Sequence, residues 1–349
     1  MKPDGKDIYS VDAYDYYLPE DAIAQEPAVP RDTCKLMVVN RATDEVHHVI
    51  FRDIVNFISP GDLLVLNNTK VMKARLFVRK PTGARIELFL LKPHEDGTWE
   101  ALLRPAKKVK VPSYLLSENG KVKIDVLSRS GKVFKVKFRD MSFEDVLRLL
   151  DKEGIMPLPP YIKSGEKVSP DMYQTIFAEE MGSVAAPTAG LHFTKELLNA
   201  LQEKGVGITY ITLHVGLGTF GPVKEDDIRK HQMHGESLFV SEETVERIKE
   251  TKRNGGRVIA VGTTVVRALE TAASGGELKP FAGESRLFIY PGYGFKVVDS
   301  LITNFHLPKS TLLMLVSAFY DREKVLNLYK IALEKGYRFF SFGDAMFLI

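Results

Sequence analysis

Two different periodicities divide this chain, and together they limit what it can fold into. From Gly61 to about residue 140 the sequence runs in short alternating or apolar stretches: LLVLNN, ARLFVRK, ARIELFLL, TWEALLRP, KVKIDVLS and KVFKVKF. The turn clusters PTG, HEDG, SENG and SRSG separate them. Short strands at regular spacing with turn punctuation predict a small antiparallel sheet or barrel. Near Met141 the period changes, because SFEDVLRLLDKEG spaces Leu and Val for a helix, with Ser142 as candidate cap and Gly154 as stop.

Beyond the proline-rich GIMPLPPYI, strands and helices alternate. Thr194 is placed to cap a helix through KELLNALQEK that Gly205 ends, and VGITYITLH follows as a strand. RVIAV, GTT and VVRALETAA repeat that pattern. A strand at LFIYPG, one long helix across STLLMLVSAFYDREKVLNLYKIALEKG and a terminal strand in YRFFSFGDAMFLI complete it. Such alternation implies a largely parallel or mixed sheet. The expected fold class is α/β: a mixed-sheet α/β body, residues 1–60 and 141–349, with a small antiparallel β-barrel domain inserted at 61–140.

A length of 349 residues suits two domains, and 44% hydrophobic with 27% charged residues is ordinary globular usage. The net charge of +3 hides a segregation. Residues 61–140 hold 18 Lys or Arg against 8 Asp or Glu, a balance of +10, which leaves −7 for the rest. A polyanionic partner for the insert is one reading and a solvated basic face is the other. Arg75, Arg104, Lys107, Lys108 and Lys110, with Arg79, Lys80 and Arg85, are the candidate stripe for phosphate contacts. The single cysteine, Cys34, excludes an internal disulfide. No signal-peptide core and no run of about 18 apolar residues is present, so a cytoplasmic protein without membrane contact is expected.

In an α/β body, ligands sit where loops leave the carboxyl ends of strands. GSVAAPTAGLHFT before a helix, LHVGLGTFGPV after a strand, and AVGTTVVRALE with Thr263 and Thr264 at a helix start all fall there. Free N–H groups at such a helix start favour an anionic group, although an ordinary capped turn has the same sequence. GLGTFG lacks dinucleotide spacing, and there is no P-loop. Of eight histidines, His47, His48 and His94 read as surface residues, while His192, His214, His231, His234 and His306 lie in turn-like segments of the body. HQMHGE offers a hydrogen-bond network, acid-base work or, less readily, metal ligation. NFHLPKST places His306 and Lys309 before a helix that Ser310 or Thr311 caps, and SFGDAM sets Asp344 in an apolar terminus after Gly343, a residue that permits an unusual backbone angle.

Taken together, these segments resemble the S-adenosylmethionine:tRNA ribosyltransferase-isomerases of queuosine biosynthesis. The resemblance runs from YDYYLPEDAIAQEP and RDTCKLMV through GDLLVLNNTKVMKARL, MPLPPYI, YQTIFA, HQMHGES and LITNFHLPKSTLLMLVSAF to YRFFSFGDAM. Departures are few: Asn68 where that family usually has Asp, Lys73 for Pro, Cys34-Lys35 for Ser-Arg and Gly235 for Ser. The resemblance implies transfer of the ribosyl part of S-adenosylmethionine onto 7-aminomethyl-7-deazaguanine in a tRNA anticodon loop, with adenine and methionine released. S-adenosylmethionine is then a consumed donor, and no metal or other cofactor and a monomeric chain are expected. His192 and His214, then Asp344 and Asp299, are the candidates for proton transfer. Thr188, Gly190, Phe193, Gly216, Gly218, Thr219, His306 and Lys309 are candidate substrate contacts. Thr263, Thr264 and Arg267 are candidates for holding the methionyl carboxylate. A non-catalytic RNA-binding protein and an S-adenosylmethionine-dependent RNA methyltransferase are the alternatives.

Overall fold

The computed structural model describes residues 5–159, 161–163, 168–216 and 223–349. Along the chain the elements are β1 (Lys35–Asn40), β2 (Glu45–Ile50), β3 (Leu63–Asn67) and β4 (Thr69–Val71), followed by β5 (Arg75–Arg79), β6 (Arg85–Pro93) and β7 (Thr98–Arg104). Then come β8 (Ser113–Ser117), β9 (Lys123–Ser130), β10 (Val133–Phe138), the helix α1 (Phe143–Glu153) and β11 (Glu180–Ser183). The remainder is α2 (Lys195–Glu203), β12 (Gly207–Leu213), β13 (Glu236–Val240), α3 (Glu242–Arg253), β14 (Val258–Val261) and α4 (Thr263–Ala272). It ends with β15 (Phe281–Ser285), β16 (Ser300–Asn304), α5 (Thr311–Phe319), α6 (Arg322–Glu334) and β17 (Ala345–Leu348). Two compact units result: Lys70–Pro159 with Met181–Ala185, and the rest of the chain.

The smaller unit is a closed antiparallel barrel in the order β10-β7-β6-β5-β8-β9. Alternation does the sorting, since every second side chain of a strand points inward. Leu76 and Val78, Ile86 and Leu88, Trp99 and Ala101 are buried, and the residues between them face out. Helix α1 belongs to this unit, because its apolar stripe, Val146 and Leu150, lies in the same core and Phe143 stacks on Trp99 at 5.5 Å. Ser142 caps it with Asp145 in a reciprocal box. Gly154 stops it where a Cβ would collide with the Lys73 carbonyl.

The insert therefore runs from Lys70 to Pro159 rather than 61–140. LLVLN at 63–67 looks like its first strand but is buried at every residue and joins the large sheet. A strand covered on both faces has no polar alternation to give it away.

The larger unit is built on a nine-stranded mixed sheet, β15-β13-β12-β3-β14-β16-β17-β1-β2. Strands β12, β3, β14 and β16 run parallel. β17 is antiparallel to β16 and parallel to β1, so the strand direction reverses there. Leu197, Leu198 and Leu201 of α2, with Phe51 and Ile54, form one core with Leu64, Leu66, Ile259 and Ile302 of the sheet. Helix α4 packs on β14, β12 and β3.

Three elements differ from the sequence expectation. The long helix breaks after Phe319, because Asp321 turns its carboxylate back onto the Lys324 N–H and starts α6, while Ser310 caps α5. The strand expected at LFIYPG lies earlier, at Phe281–Ser285, where it pairs with β13. The terminal strand shortens to four residues behind the turn at Gly343. Gly343 itself is outside the left-handed region, and crowding by Arg338 and Phe339 is what forbids a side chain there. Phe340 is the residue with positive φ, 76°.

Candidate functional site

The two ends of the parallel strands do different work. At the amino ends, carboxylates tie the backbone. Asp62, before β3, holds Arg257 in a bidentate pair and accepts the Arg257 N–H at 2.9 Å. Asp299, before β16, accepts the Val258 N–H at 2.8 Å and takes the Lys252 ammonium at 3.1 Å. Asp299 is thus at the opposite end from the loops that suggested a site, and the structure does not bring it to them.

At the carboxyl ends, β14, β16 and the loop before α2 enclose a narrow crevice lined by Thr188, Ala189, Gly262, Thr263, Thr264, Asn304 and His306. Its volume is about 20 Å³, room for a single water. Helix α4 opens on it. The chain enters α4 through Gly262 at φ 93°, a conformation that favours glycine, and no side chain caps the helix. The N–H groups of Thr263 and Thr264 have no acceptor among the described residues, which leaves the positive end of the dipole directed at the crevice.

Behind the crevice lies a buried hydrogen-bond chain. Asn304, the last residue of β16, accepts the Thr188 hydroxyl at 3.1 Å and donates through Nδ2 to the Phe340 carbonyl at 3.2 Å and to His192 Nε2 at 3.0 Å. Because Nε2 accepts, the imidazole proton sits on Nδ1, 3.2 Å from Cys34 Sγ. Burial, with Arg338 and Arg31 adding to it, lowers His192 to about 3, so the ring is neutral. Both of its nitrogens are engaged and it does not line the crevice. His192 is thus enclosed in the hydrogen-bond chain, with neither ring nitrogen free at the crevice. Cys34 is buried beside it, and desolvation pushes its thiol well above the ordinary range, so it is not a reactive thiolate. His306 lines the crevice and is likewise held neutral by burial, at about 3, with Nε2 at 2.8 Å from Thr303 Oγ1.

His214 follows β12 and is partly exposed. Its Nδ1 meets Thr69 Oγ1 at 2.8 Å, and Nε2 has no partner among the described residues. Burial lowers its pKa. Asn67, at the end of β3, ties this region to the crevice: it donates to the Leu213 carbonyl at 3.0 Å and to Thr264 Oγ1 at 3.4 Å, and accepts the Thr69 N–H at 3.2 Å.

Several remaining candidates have structural partners. Arg267 is buried against Glu236 in a short ion pair and donates to the Leu287 carbonyl at 3.2 Å, while Glu236 also accepts the Gly216 N–H at 2.9 Å. Through Glu236, Arg267 braces Gly216, while its buried Nη2 has no hydrogen-bond partner among the described residues. Gly218 and Thr219 lie outside the described residues. Asp344 accepts the N–H groups of Lys35 and Arg338 at 2.9 and 2.7 Å, pinning the last turn to β1. Lys309 is turned to Asp12 and Asp15 at 2.8 and 3.1 Å. Phe193 is fully buried against Phe51. Gly190 fits under Phe177, whose ring would lie 2.8 Å from an added Cβ. What comes close to the GSVAAPTAG backbone there is the protein's own Phe177 and Thr175.

Within HQMHGE, His231 bonds Glu225 at 3.0 Å and Glu236 belongs to the Arg267 pair. Among the described residues no group of three or more His, Cys, Asp or Glu is disposed to hold a metal. No described helix is long and apolar enough to cross a membrane.

On the barrel the basic stripe divides. Arg75 pairs with Glu87 at 3.0 Å, and Arg79 and Arg85 share Glu118. Arg104, Lys107, Lys108 and Lys110 are exposed, and none forms an ion pair with a described residue. The residues that sequence reasoning missed are Asn67, Thr69 and Asn304. The available signal was Asn at the carboxyl end of a strand, in LLVLN and LITN.

The family model for the queuosine biosynthesis protein matches residues 11–348. A curated S-adenosylmethionine:tRNA ribosyltransferase-isomerase of Sulfurihydrogenibium sp. is 53% identical over 96% of this chain and 98% of its own. One from Halothermothrix orenii is 52% identical over 97% and 99%. The solved S-adenosylmethionine tRNA ribosyltransferase of Thermotoga maritima is 40% identical and covers 97% of this chain and 100% of its own, with a TM-score of 0.56. With a family model spanning nearly the whole sequence, this chain belongs to the queuosine biosynthesis protein family.

Proposed function

We propose that the chain transfers and isomerises the ribosyl part of S-adenosylmethionine onto 7-aminomethyl-7-deazaguanine at the wobble position of tRNA, giving epoxyqueuosine and releasing adenine and methionine. The observation that supports this most is the match to relatives of that name over nearly the full length of both chains. S-adenosylmethionine is consumed as donor, and no metal or further cofactor enters the reaction.

The site chemistry fits such a donor. The uncapped start of α4 offers the N–H groups of Thr263 and Thr264 to the methionyl carboxylate. A sulfonium acidifies the neighbouring C5′ proton, so the reaction needs an unprotonated base near working pH. His214 has that character: burial keeps it neutral, Thr69 fixes its Nδ1, and Nε2 points to no described partner. His192 and Asn304 hold the Thr188 hydroxyl at the crevice wall. On the barrel, Arg104, Lys107, Lys108 and Lys110 are the charges left over for tRNA phosphates.

Purified protein incubated with S-adenosylmethionine and tRNA carrying the aminomethyl base should release adenine, and the nucleoside should gain the mass of the rearranged ribosyl group. Methyl transfer without adenine would overturn the proposal in favour of a methyltransferase. A folded protein that binds tRNA and leaves both substrates unchanged would point to RNA binding alone.

A further inference from the structure

A cleft of about 480 Å³ opens beside His214, separate from the crevice at α4, and a volume of that order suits a nucleoside-sized ligand. Its floor is set by sheet geometry. Alternation places Tyr210, Thr212 and His214 on one face of the β12 segment. The antiparallel register sets Phe239 of β13 opposite Thr212, which brings it to that same face. Tyr210 and Phe239 are 40% and 53% exposed although they lie in a concave surface. Phe239 and the side of Tyr210 away from Phe177, whose ring lies 6.1 Å from it, are left uncovered where an apolar side chain would ordinarily be packed.

The walls carry charge that no described residue pairs. Glu243 and Arg247 stand one helical turn apart on α3, and Glu180 faces them at the start of β11. None of the three forms an ion pair with a described residue. Aromatic planes beside carboxylate acceptors are the complement of a purine of the guanine type. Its ring stacks, its N1–H and exocyclic amine donate to one carboxylate, and an attached cationic amine pairs with another.

Building on the ribosyl-transfer reading, we propose that this cleft receives the acceptor base of the tRNA: the deazaguanine ring stacks on Tyr210 and Phe239, and Glu180 and Glu243 bind its N–H edge and its aminomethyl cation. The donor then meets the start of α4 with its carboxylate end only, and His214 lies at the rim of the acceptor cleft with Asn67 linking the two regions. Arg247 supplies a cation for a phosphate or carbonyl oxygen of the same nucleotide.

Steady-state kinetics of Phe239→Ala and of Glu180→Gln/Glu243→Gln test the assignment, with each substrate varied in turn. All three side chains are exposed, so folding is not at stake, and a thermal melt checks it. The expected result is a KM for the modified tRNA raised by about tenfold or more, with the KM for S-adenosylmethionine nearly unchanged. The carboxylate variant should also lose the wild-type preference for an anticodon stem-loop bearing the aminomethyl base over one bearing a nitrile in its place. A rise in the S-adenosylmethionine KM alone would place the donor in the cleft and overturn the proposal, and unchanged values for both substrates would reduce the cleft to a solvated surface. Equilibrium binding of the two stem-loops measures the same preference without turnover. A wild-type protein that discriminates between them but releases no adenine would therefore remove the reaction and keep the cleft.

Discussion

Asn304 Nδ2 lies 3.0 Å from His192 Nε2, deep behind the crevice wall, and this contact fixes the imidazole as a neutral acceptor. A histidine so held has no lone pair to offer a substrate. His214, with Nε2 unpartnered among the described residues at the edge of an open cleft, does.

The two histidines should therefore separate activity from stability. His214→Ala should lower kcat by about 10²- to 10⁴-fold, the range for loss of an acid-base group, with little change in melting temperature. His192→Ala removes one of the two acceptors of Asn304 Nδ2 and opens a gap beside Phe51, so it should cost about 2–3 kcal/mol of stability. Saturating-substrate kinetics beside urea titrations would show the split; the reverse pattern would return His192 to the role of base.

Stability should fall on mild acidification. Burial depresses His192 and His306 to about 3 in the folded protein, against about 6.5 in an unfolded chain. Below 6.5 the unfolded chain binds protons that the native state refuses, so the contribution is full above that pH and declines toward pH 3. The slope approaches about 1.4 kcal/mol per pH unit for each histidine below pH 6, which gives about 3 kcal/mol for the pair between pH 6.5 and 5. His306→Gln should remove about half of this dependence. Urea midpoints across the range would read it, and a flat profile would contradict the burial.

The Arg267–Glu236 pair should be costly to break from one side. Arg267→Met strands a buried carboxylate and should lose about 3–5 kcal/mol, whereas Arg267→Met with Glu236→Gln should lose markedly less. A double-mutant cycle on unfolding free energy gives the coupling. Additive losses would mean that the pair does not act as a unit.

On the barrel, removing Lys107 and Lys108 together should flatten the dependence of tRNA affinity on salt by up to about two in the log-log slope. Arg85→Ala should leave that slope unchanged, since Arg85 is neutralised by Glu118 and lies over Phe77. Binding isotherms at several salt concentrations distinguish them. Equal effects from both would mean that the whole stripe meets phosphate.

Local pattern alone decided a good deal. Period-2 runs with turn clusters specified the barrel, and Ser142, Thr194 and Gly154 marked helix limits, because strand alternation and capping act over a few residues. The loops at the carboxyl ends were legible as a candidate site for the same reason: glycine and threonine before a helix start are local signals. Roles that depend on partners far apart in sequence were not legible. The burial of His192 is set by Asn304, 112 residues away, and that of Arg267 by Glu236, 31 away. Asp344 looked like a lone carboxylate until β1 and β17 came side by side and gave it two backbone N–H groups. Leu63–Asn67 could be assigned to the large sheet only once both of its faces were covered. Sequence determined which groups were available for chemistry, but burial and hydrogen-bond partners set whether each one is spent on the fold or left for a ligand, and those come only from tertiary packing.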